Sequence, residues 1–166
     1  MSDDLLRVED LVTAFQTEEG EIHAVDGVSF SVGKGRTVGL VGESGCGKTV
    51  TALSIIQLLP RPAASILNGR ILFEEEDLVA AHTERLHQVR GNRIGMIFQE
   101  PMTALNPVHR IGRQITEALK LHRSLTDAEA LAAAIRMLER VGIPSPEVRV
   151  SEYPHQLSGG MRQRVM

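Results

Sequence analysis

Gly42-Glu43-Ser44-Gly45-Cys46-Gly47-Lys48-Thr49, preceded by Val38-Gly39-Leu40-Val41, decides the fold class of this 166-residue chain. The stretch fits G-x-x-x-x-G-K-[ST], with a β-like apolar run before it and a helix-like run after it. Each residue type has a chemical reason. Glycines let consecutive backbone N–H groups turn inward around phosphate oxygens, where a Cβ would obstruct them. A helix starting at Lys48 aims its partially positive end at the same anion. Lys48 adds a point charge for the β- and γ-phosphates, and the Thr49 hydroxyl is a Mg²⁺ ligand type. The following helix is expected over residues 48–59, with Ala52, Leu53, Ile55, Ile56 and Leu59 as its apolar side. A strand, a phosphate loop and a helix in that order point to an α/β fold.

Working outward, the chain before the loop is rich in strands. Residues 5–15 read as one strand. Thr17-Glu18-Glu19-Gly20 reads as a turn, and a second strand follows over residues 22–32 with a kink at Asp26-Gly27. In that second strand Val28, Phe30 and Val32 alternate with Ser29 and Ser31, the pattern of a half-buried strand. Residues 37–41 are continuously apolar, as in a buried parallel strand. After the loop helix come Pro60-Arg61-Pro62, then residues 65–73 with Asn68-Gly69 as a hairpin turn. Glu74-Glu75-Glu76-Asp77 reads as a solvated acidic loop. A short helix over residues 83–89 and an apolar strand over residues 94–98 complete this part.

Beyond Pro107 the texture turns helical. Ile111, Ile115, Ala118, Leu119 and Leu121 mark one amphipathic helix. Thr126-Asp127-Ala128-Glu129 is a capping box that opens another, with Leu131, Ile135, Leu138 and Val141 on its apolar face and Gly142 just past its end. His109 and His155 have no partner at metal-ligand spacing and read as structural or surface residues.

Composition narrows the classes. The chain is 42% hydrophobic and 23% charged with a net charge of −3, so no electrostatic excess favours nucleic acid or an anionic membrane. Aromatics make up 3% and Trp is absent, which argues against base-stacking platforms. The single cysteine, Cys46, excludes an internal disulfide. No apolar run has the length of a membrane span, and Met1-Ser2-Asp3-Asp4 is unlike a signal peptide.

Three stretches in order carry a family resemblance: the phosphate loop, Gln99 at a strand end, and Leu157-Ser158-Gly159-Gly160-Met161-Arg162-Gln163-Arg164 after a helical segment. Together they resemble the ATP-binding subunits of ABC transporters, whose signature is Leu-Ser-Gly-Gly before a Gln-Arg helix. Residues 90–107 and Tyr153-Pro154-His155 look like the dipeptide/oligopeptide (and nickel) importer branch. The resemblance implies an ABC-type P-loop NTPase core with N-terminal antiparallel strands and an α-helical subdomain, incomplete at the C-terminus. Its parts are residues 1–99 as nucleotide-binding core, 100–157 as helical subdomain and 158–166 as the start of the signature helix.

The implied roles are specific. ATP and Mg²⁺ are the expected cofactors. Phe15 matches the aromatic that stacks on adenine. Gly42, Glu43, Ser44, Gly45, Cys46, Gly47, Lys48, Thr49 and Val50 match the nucleotide-binding positions. Thr49 and Gln99 match the Mg²⁺ site, with Lys48 and Gln99 in the catalytic set. Ser158, Gly159 and Gly160 match residues that act on the ATP of a second subunit paired head to tail. The implied partners are that subunit and transmembrane permeases, with no nucleic acid, at the cytoplasmic face of the inner or plasma membrane. A soluble ABC-type ATPase acting on nucleic acid or ribosomes, and a non-hydrolysing nucleotide-binding module, are the competing readings.

The family's next elements are a strand ending in a Mg²⁺-binding Asp, an adjacent Glu that acts as general base, and a later His. None precedes Met166, so the chain resembles about the first half of a subunit, with an exposed apolar sheet edge. The expectation is weak MgATP binding and little or no hydrolysis by residues 1–166. Phosphate release by the purified chain at the rate of a full subunit would refute it.

Overall fold

The computed structural model describes residues 4–98 and 104–166. The chain divides into two compact units, Met1–Arg90 and Gly91–Met166. The boundary expected at residue 99 lies outside the described residues.

The first unit is built on an antiparallel sheet. Strands β1 (Asp4–Thr17) and β2 (Gly20–Gly33) form a long hairpin, β3 (Ala64–Phe73) adds to the other edge of β1, and β4 (Glu76–Asp77) folds back on β3. The spatial order is β2-β1-β3-β4. At the first turn the Thr17 hydroxyl donates to the Gly20 carbonyl at 2.8 Å. Val28, Phe30 and Val32 are half-buried while Ser29 and Ser31 are exposed, as the alternation requires. Val8, Leu11, Ala14, Val25, Ile71 and Phe73 supply the sheet's buried apolar face.

Helix α1 (Lys48–Ile55) starts at the phosphate loop and ends four residues before the expected Leu59. A left-handed Gln57 (φ +55°) stops it. Leu58 N–H then donates to the Leu53 carbonyl at 2.9 Å and Gln57 N–H to the Ser54 carbonyl at 3.1 Å, the paired bonds of a Schellman ending. The freed carbonyls beyond are taken by Arg90, whose Nε donates to Ile56 O at 2.7 Å and whose second guanidinium nitrogen donates to Gln57 O at 2.5 Å. Burial pulls the Arg90 pKa below the usual guanidinium range, with a smaller contribution from Arg61. The buried positions of α1 are Thr51 and Ser54, with Ile56 just after its end. The face expected to be apolar is therefore largely polar, and Leu53 and Ile55 are only half-buried.

Three further expectations change. Asn68-Gly69 does not turn a hairpin but lies inside the continuous strand β3. Gly69 sits at φ +98°, and a Cβ there would fall 2.5–2.7 Å from the backbone of Glu9, Asp10 and Leu11. The glycine lets β3 press against a bulge in β1, where the register shifts between Glu9 and Val12. The hairpin turn falls instead at Glu74 and Glu75, both at positive φ. The acidic run is thus structured: Arg85 donates to both Glu76 carboxylate oxygens at 2.6–2.9 Å, and Asp77 accepts from the backbone N–H groups of Ile71 and Val79. Finally, residues 37–41 and 95–98 join no ladder among the described residues. Extended backbone becomes a strand only beside a hydrogen-bonding neighbour, and here Val41 is 90% exposed and Ile97 83% exposed. The expected sheet edge beside the phosphate loop is therefore not formed: these segments are apolar and exposed, but among the described residues they belong to no sheet.

A short α2 (Thr83–Val89) buries Leu86 and Val89 and ends the first unit. The second unit is helical: α3 (Ile111–His122), α4 (Asp127–Arg140), α5 (Pro146–Arg149) and α6 (Gly159–Val165). Ile111, Ala134, Leu138, Ile143, Val150 and Leu157 form its core. Gly112 makes the entry to α3 possible, because a Cβ there would lie 2.5 Å from Val150. The first N–H groups of α3, from Ile111 and Gly112, donate to the carbonyls of Glu152 and Val150 at 2.9 and 2.7 Å. On α4 the buried row is Ala130, Ala134 and Leu138, and Leu131 and Val141 face outward instead. Small residues at four-residue spacing allow the close approach of α3. On α3, Ala118 and Leu121 are likewise exposed.

The capping box forms as expected. Thr126 Oγ1 accepts from Glu129 N–H at 3.3 Å, and the Glu129 carboxylate accepts from the Thr126 backbone N–H at 2.8 Å and from its hydroxyl at 2.7 Å. At the other end Gly142 (φ +69°) closes α4 through the same pair of bonds seen on α1. The hydroxyl and then the backbone of Thr126 hold the Glu129 carboxyl below the usual carboxylate range. A carboxylate with a lowered folded pKa stabilises above its unfolded value and loses that contribution as pH falls through the folded one. Thermal melts recorded from pH 7 to pH 3 are expected to fall more steeply for the natural chain than for Glu129→Gln; parallel curves would remove the box from the acid response.

Candidate phosphate-loop site

The loop between residues 41 and 48 is set by two left-handed glycines, Gly45 at φ +84° and Gly47 at φ +86°. Gly47 is also the N-cap residue of α1. Its α-carbon lies against β2: a Cβ would stand 2.2 Å from the Ala24 carbonyl oxygen and 3.5 Å from a Val25 methyl. The partner strand is irregular at that point, since the β1–β2 register shifts between Thr13 and Ala14, opposite Val25 and His23. The irregularity brings the Ala24 carbonyl to the loop. Gly42 is similarly confined, with the position of a Cβ taken by the Cys46 sulfur at 2.4 Å.

Lys48 folds back over this loop. Its ammonium donates to Gly42 O at 2.8 Å and to Glu43 O at 2.6 Å, with the Cys46 sulfur at 3.4 Å. Two of its three N–H donors are therefore held by loop carbonyls, which fixes the charge over the loop. Cys46 N–H reaches the Glu43 carbonyl at 3.4 Å. Residues 42–46 and Thr49 are exposed. The exposed glycine-bounded turn, the fixed ammonium and the start of an eight-residue helix make an anion cradle. A side chain on Gly47 would destroy it, and no other residue type satisfies both its φ and its contact. These residues fit the phosphates of a nucleotide, and Thr49 stands exposed in the first turn of the helix. Gln99 lies outside the described residues.

Beneath the loop, Thr51 donates its hydroxyl to the Gly47 carbonyl at 3.0 Å. Ser54 donates to the Val50 carbonyl at 2.8 Å and meets Thr13 Oγ1 of β1 at 2.9 Å. Sequence reasoning missed Ala24, Thr13 and Ser54. A signal existed in Thr51 and Ser54, hydroxyl residues that interrupt the apolar helix face at the spacing of one face. Phe15 is half-buried on β1, paired with Ile22 on β2 and Ala64 on β3.

The second sequence-derived cluster belongs to the other unit. Ser158 is the N-cap of α6 and its hydroxyl accepts from Met161 N–H at 3.3 Å. Arg164 anchors the helix by donating to the carbonyls of Val141 and Gly142 at the end of α4. Gly159 and Gly160 differ from Gly47: neither has a positive φ, and among the described residues a Cβ on either would meet nothing within 4 Å.

The family model described as ABC transporter matches residues 25–166. This chain belongs to the ABC transporter family. Among its relatives, it is 52% identical over 165 residues to the probable peptide ABC transporter ATP-binding protein y4tR of Sinorhizobium fredii, covering 99% of this chain and 49% of that protein. It is 50% identical over 162 residues to the oligopeptide transport ATP-binding protein OppD of Bacillus subtilis, covering 98% and 45%. The dipeptide transport ATP-binding protein DppD of the same organism is 48% identical over 162 residues, covering 98% and 48%. The chain thus spans about half the length of the curated relatives it matches. The fold matches the structure titled as a dimeric bacterial ABC transporter cassette, MJ0796, at a TM-score of 0.80 and 22% identity, covering 96% of this chain and 66% of that one. It also matches cbiO1 of Clostridium perfringens at 0.71 and 23%, covering 99% and 59%. Among the described residues, no helix of this ABC cassette chain is long and apolar enough to cross a membrane.

The glycines separate into two kinds that urea melts can distinguish. Gly47→Ala is expected to cost about 2 kcal/mol or more, from the left-handed backbone and the Ala24 collision together. Gly159→Ala and Gly160→Ala should leave the midpoint unchanged or slightly higher, since alanine favours a helix by about 0.5–1 kcal/mol. Equal losses at all three positions would contradict this division.

Proposed function

We propose that this chain is the nucleotide-binding part of the ATP-hydrolysing subunit of an importer for short peptides or related solutes such as nickel. The observation that carries this reading is the cradle of residues 42–49, with Lys48 held over it by Gly42 and Glu43. The peptide-transport names of relatives near 50% identity support the substrate class.

In this reading Mg²⁺ bound to ATP supplies a polarised terminal phosphate. The chain's own residues bind and orient it. Backbone N–H groups from Gly42 to Val50 meet phosphate oxygens. Lys48 neutralises the outer phosphates and Thr49 ligates the metal. Gln99 completes the metal site, and Phe15 stacks on adenine. Ser158, Gly159 and Gly160 act on the ATP of a second ATP-binding subunit paired head to tail. The support for that assignment is that nothing among the described residues demands glycine at 159 or 160. A close approach from outside would demand it, because a Cβ would hold an incoming phosphate away from the helix start. The further partners are permease subunits, which would hold this subunit at the cytoplasmic face of the membrane.

Two substitutions test the division of labour. Lys48→Ala is expected to weaken MgATP binding by about tenfold or more, read by calorimetry. Gly159→Trp should leave that binding constant unchanged, yet abolish peptide-dependent growth when carried in the full transporter. Loss of ATP binding in the second variant, or retention in the first, would overturn the assignment.

A further inference from the structure

Thr13 and Ser54 are both fully buried, with 0% exposure, and their hydroxyl oxygens are 2.9 Å apart. Direction in this pair follows from the neighbouring bond. The Ser54 hydroxyl donates its one hydrogen to the Val50 carbonyl, so Thr13 is the donor to Ser54. The result is an ordered relay from β1 into the backbone of α1. Thr51, the other buried polar residue of α1, spends its hydroxyl on the Gly47 carbonyl within its own helix.

Helix α1 is therefore fixed to the sheet at two places. At its start Gly47 rests on the Ala24 carbonyl of β2. Seven residues on, about 10 Å along the axis, Ser54 is bonded to Thr13 of β1. An apolar contact would fill the same space while allowing the helix to slide, because dispersion is not directional and a hydrogen bond is. Thr13 also stands two residues before Phe15 on β1. One end of a nucleotide would meet Phe15 and the other the start of α1.

We infer that the Thr13–Ser54 hydroxyl pair is a positioning element that sets the distance between the base-stacking residue of β1 and the phosphate cradle of α1. It thereby selects ligands that carry a base and a triphosphate joined at one length. The inference rests on the proposed roles of Phe15 and of residues 42–49. It separates two ligands in a way that simple stabilisation would not. Inorganic tripolyphosphate touches only the cradle and is indifferent to the spacing, whereas ATP must satisfy both ends at once.

The test measures binding of MgATP and of Mg-tripolyphosphate to the full chain by calorimetry. Thr13→Val removes the donor and leaves Ser54 its bond to Val50. It is expected to weaken ATP by about tenfold while tripolyphosphate changes by less than about twofold. Thr13→Ser, which keeps the hydroxyl, should restore the natural ratio. Should the valine variant fail to fold, Ser54→Ala removes the same bond from the helix side and is read by the same ratio. Equal weakening of both ligands, or no change in either, overturns the positioning role. Phe15→Ala distinguishes the two levels of inference. If it lowers the ATP-to-tripolyphosphate ratio and Thr13→Val does not, the hydroxyl pair alone is wrong. If Phe15→Ala leaves the ratio untouched, the base-stacking reading fails and the positioning role falls with it.

Discussion

The close approach of Gly47 to the Ala24 carbonyl is the constraint on which the first unit's chemistry depends. It joins the phosphate loop, the first turn of α1 and the β1–β2 hairpin at one point. The left-handed φ of Gly47 redirects the chain into the helix, and its missing side chain lets that turn sit directly on a strand. From this seat the helix runs across the sheet to Thr13. Its far end is then finished by the Schellman bonds at Gln57 and by the guanidinium of Arg90. A cationic group at the C-terminal carbonyls and an anion site at the N-terminus load the helix dipole in the favourable sense at both ends.

The helix starts are satisfied in different ways. In α3 the first N–H groups are consumed by Val150 and Glu152. In α4 the capping box consumes them. Helix α6 is likewise capped, by the Ser158 hydroxyl accepting from Met161 N–H, whereas α1 opens on Gly47 with no side-chain cap bond. On α1 the glycine is required by the fold itself, and on α6 it is not.

Much of this was legible in the sequence wherever a local rule acts alone. The phosphate loop, the box at Thr126 and Glu129, the stop at Gly142 and the alternation of β2 all depend on residues within a few positions of each other. Misreadings arose where a distant element decided the outcome. Asn68-Gly69 has the chemistry of a tight turn, yet β1 passing alongside makes it a flat crossing within a strand. The helix face expected to be apolar buries Thr51 and Ser54 instead, because Ser54 meets the Thr13 hydroxyl of β1 while Thr51 returns its hydroxyl to the Gly47 carbonyl. Residues 37–41 have every strand preference, but pairing is a property of two segments and only one was being read. In the site, Lys48 and the glycines were visible at once, whereas Ala24 and Thr13 act through a fold no motif encodes.

That residues 37–41 join no ladder among the described residues bears on what the sheet needs in order to form. The antiparallel sheet closes its ladders without them, using only segments between Asp4 and Asp77. A chain emerging from a ribosome would hold all four of those strands once Asp77 had cleared the exit tunnel. The sheet can then serve as a template on which α1 docks through Gly47 and Ser54. Among the described residues, 37–41 contribute no ladder bond to that template, so the sheet's own hydrogen bonding is complete without the segment that leads into the phosphate loop.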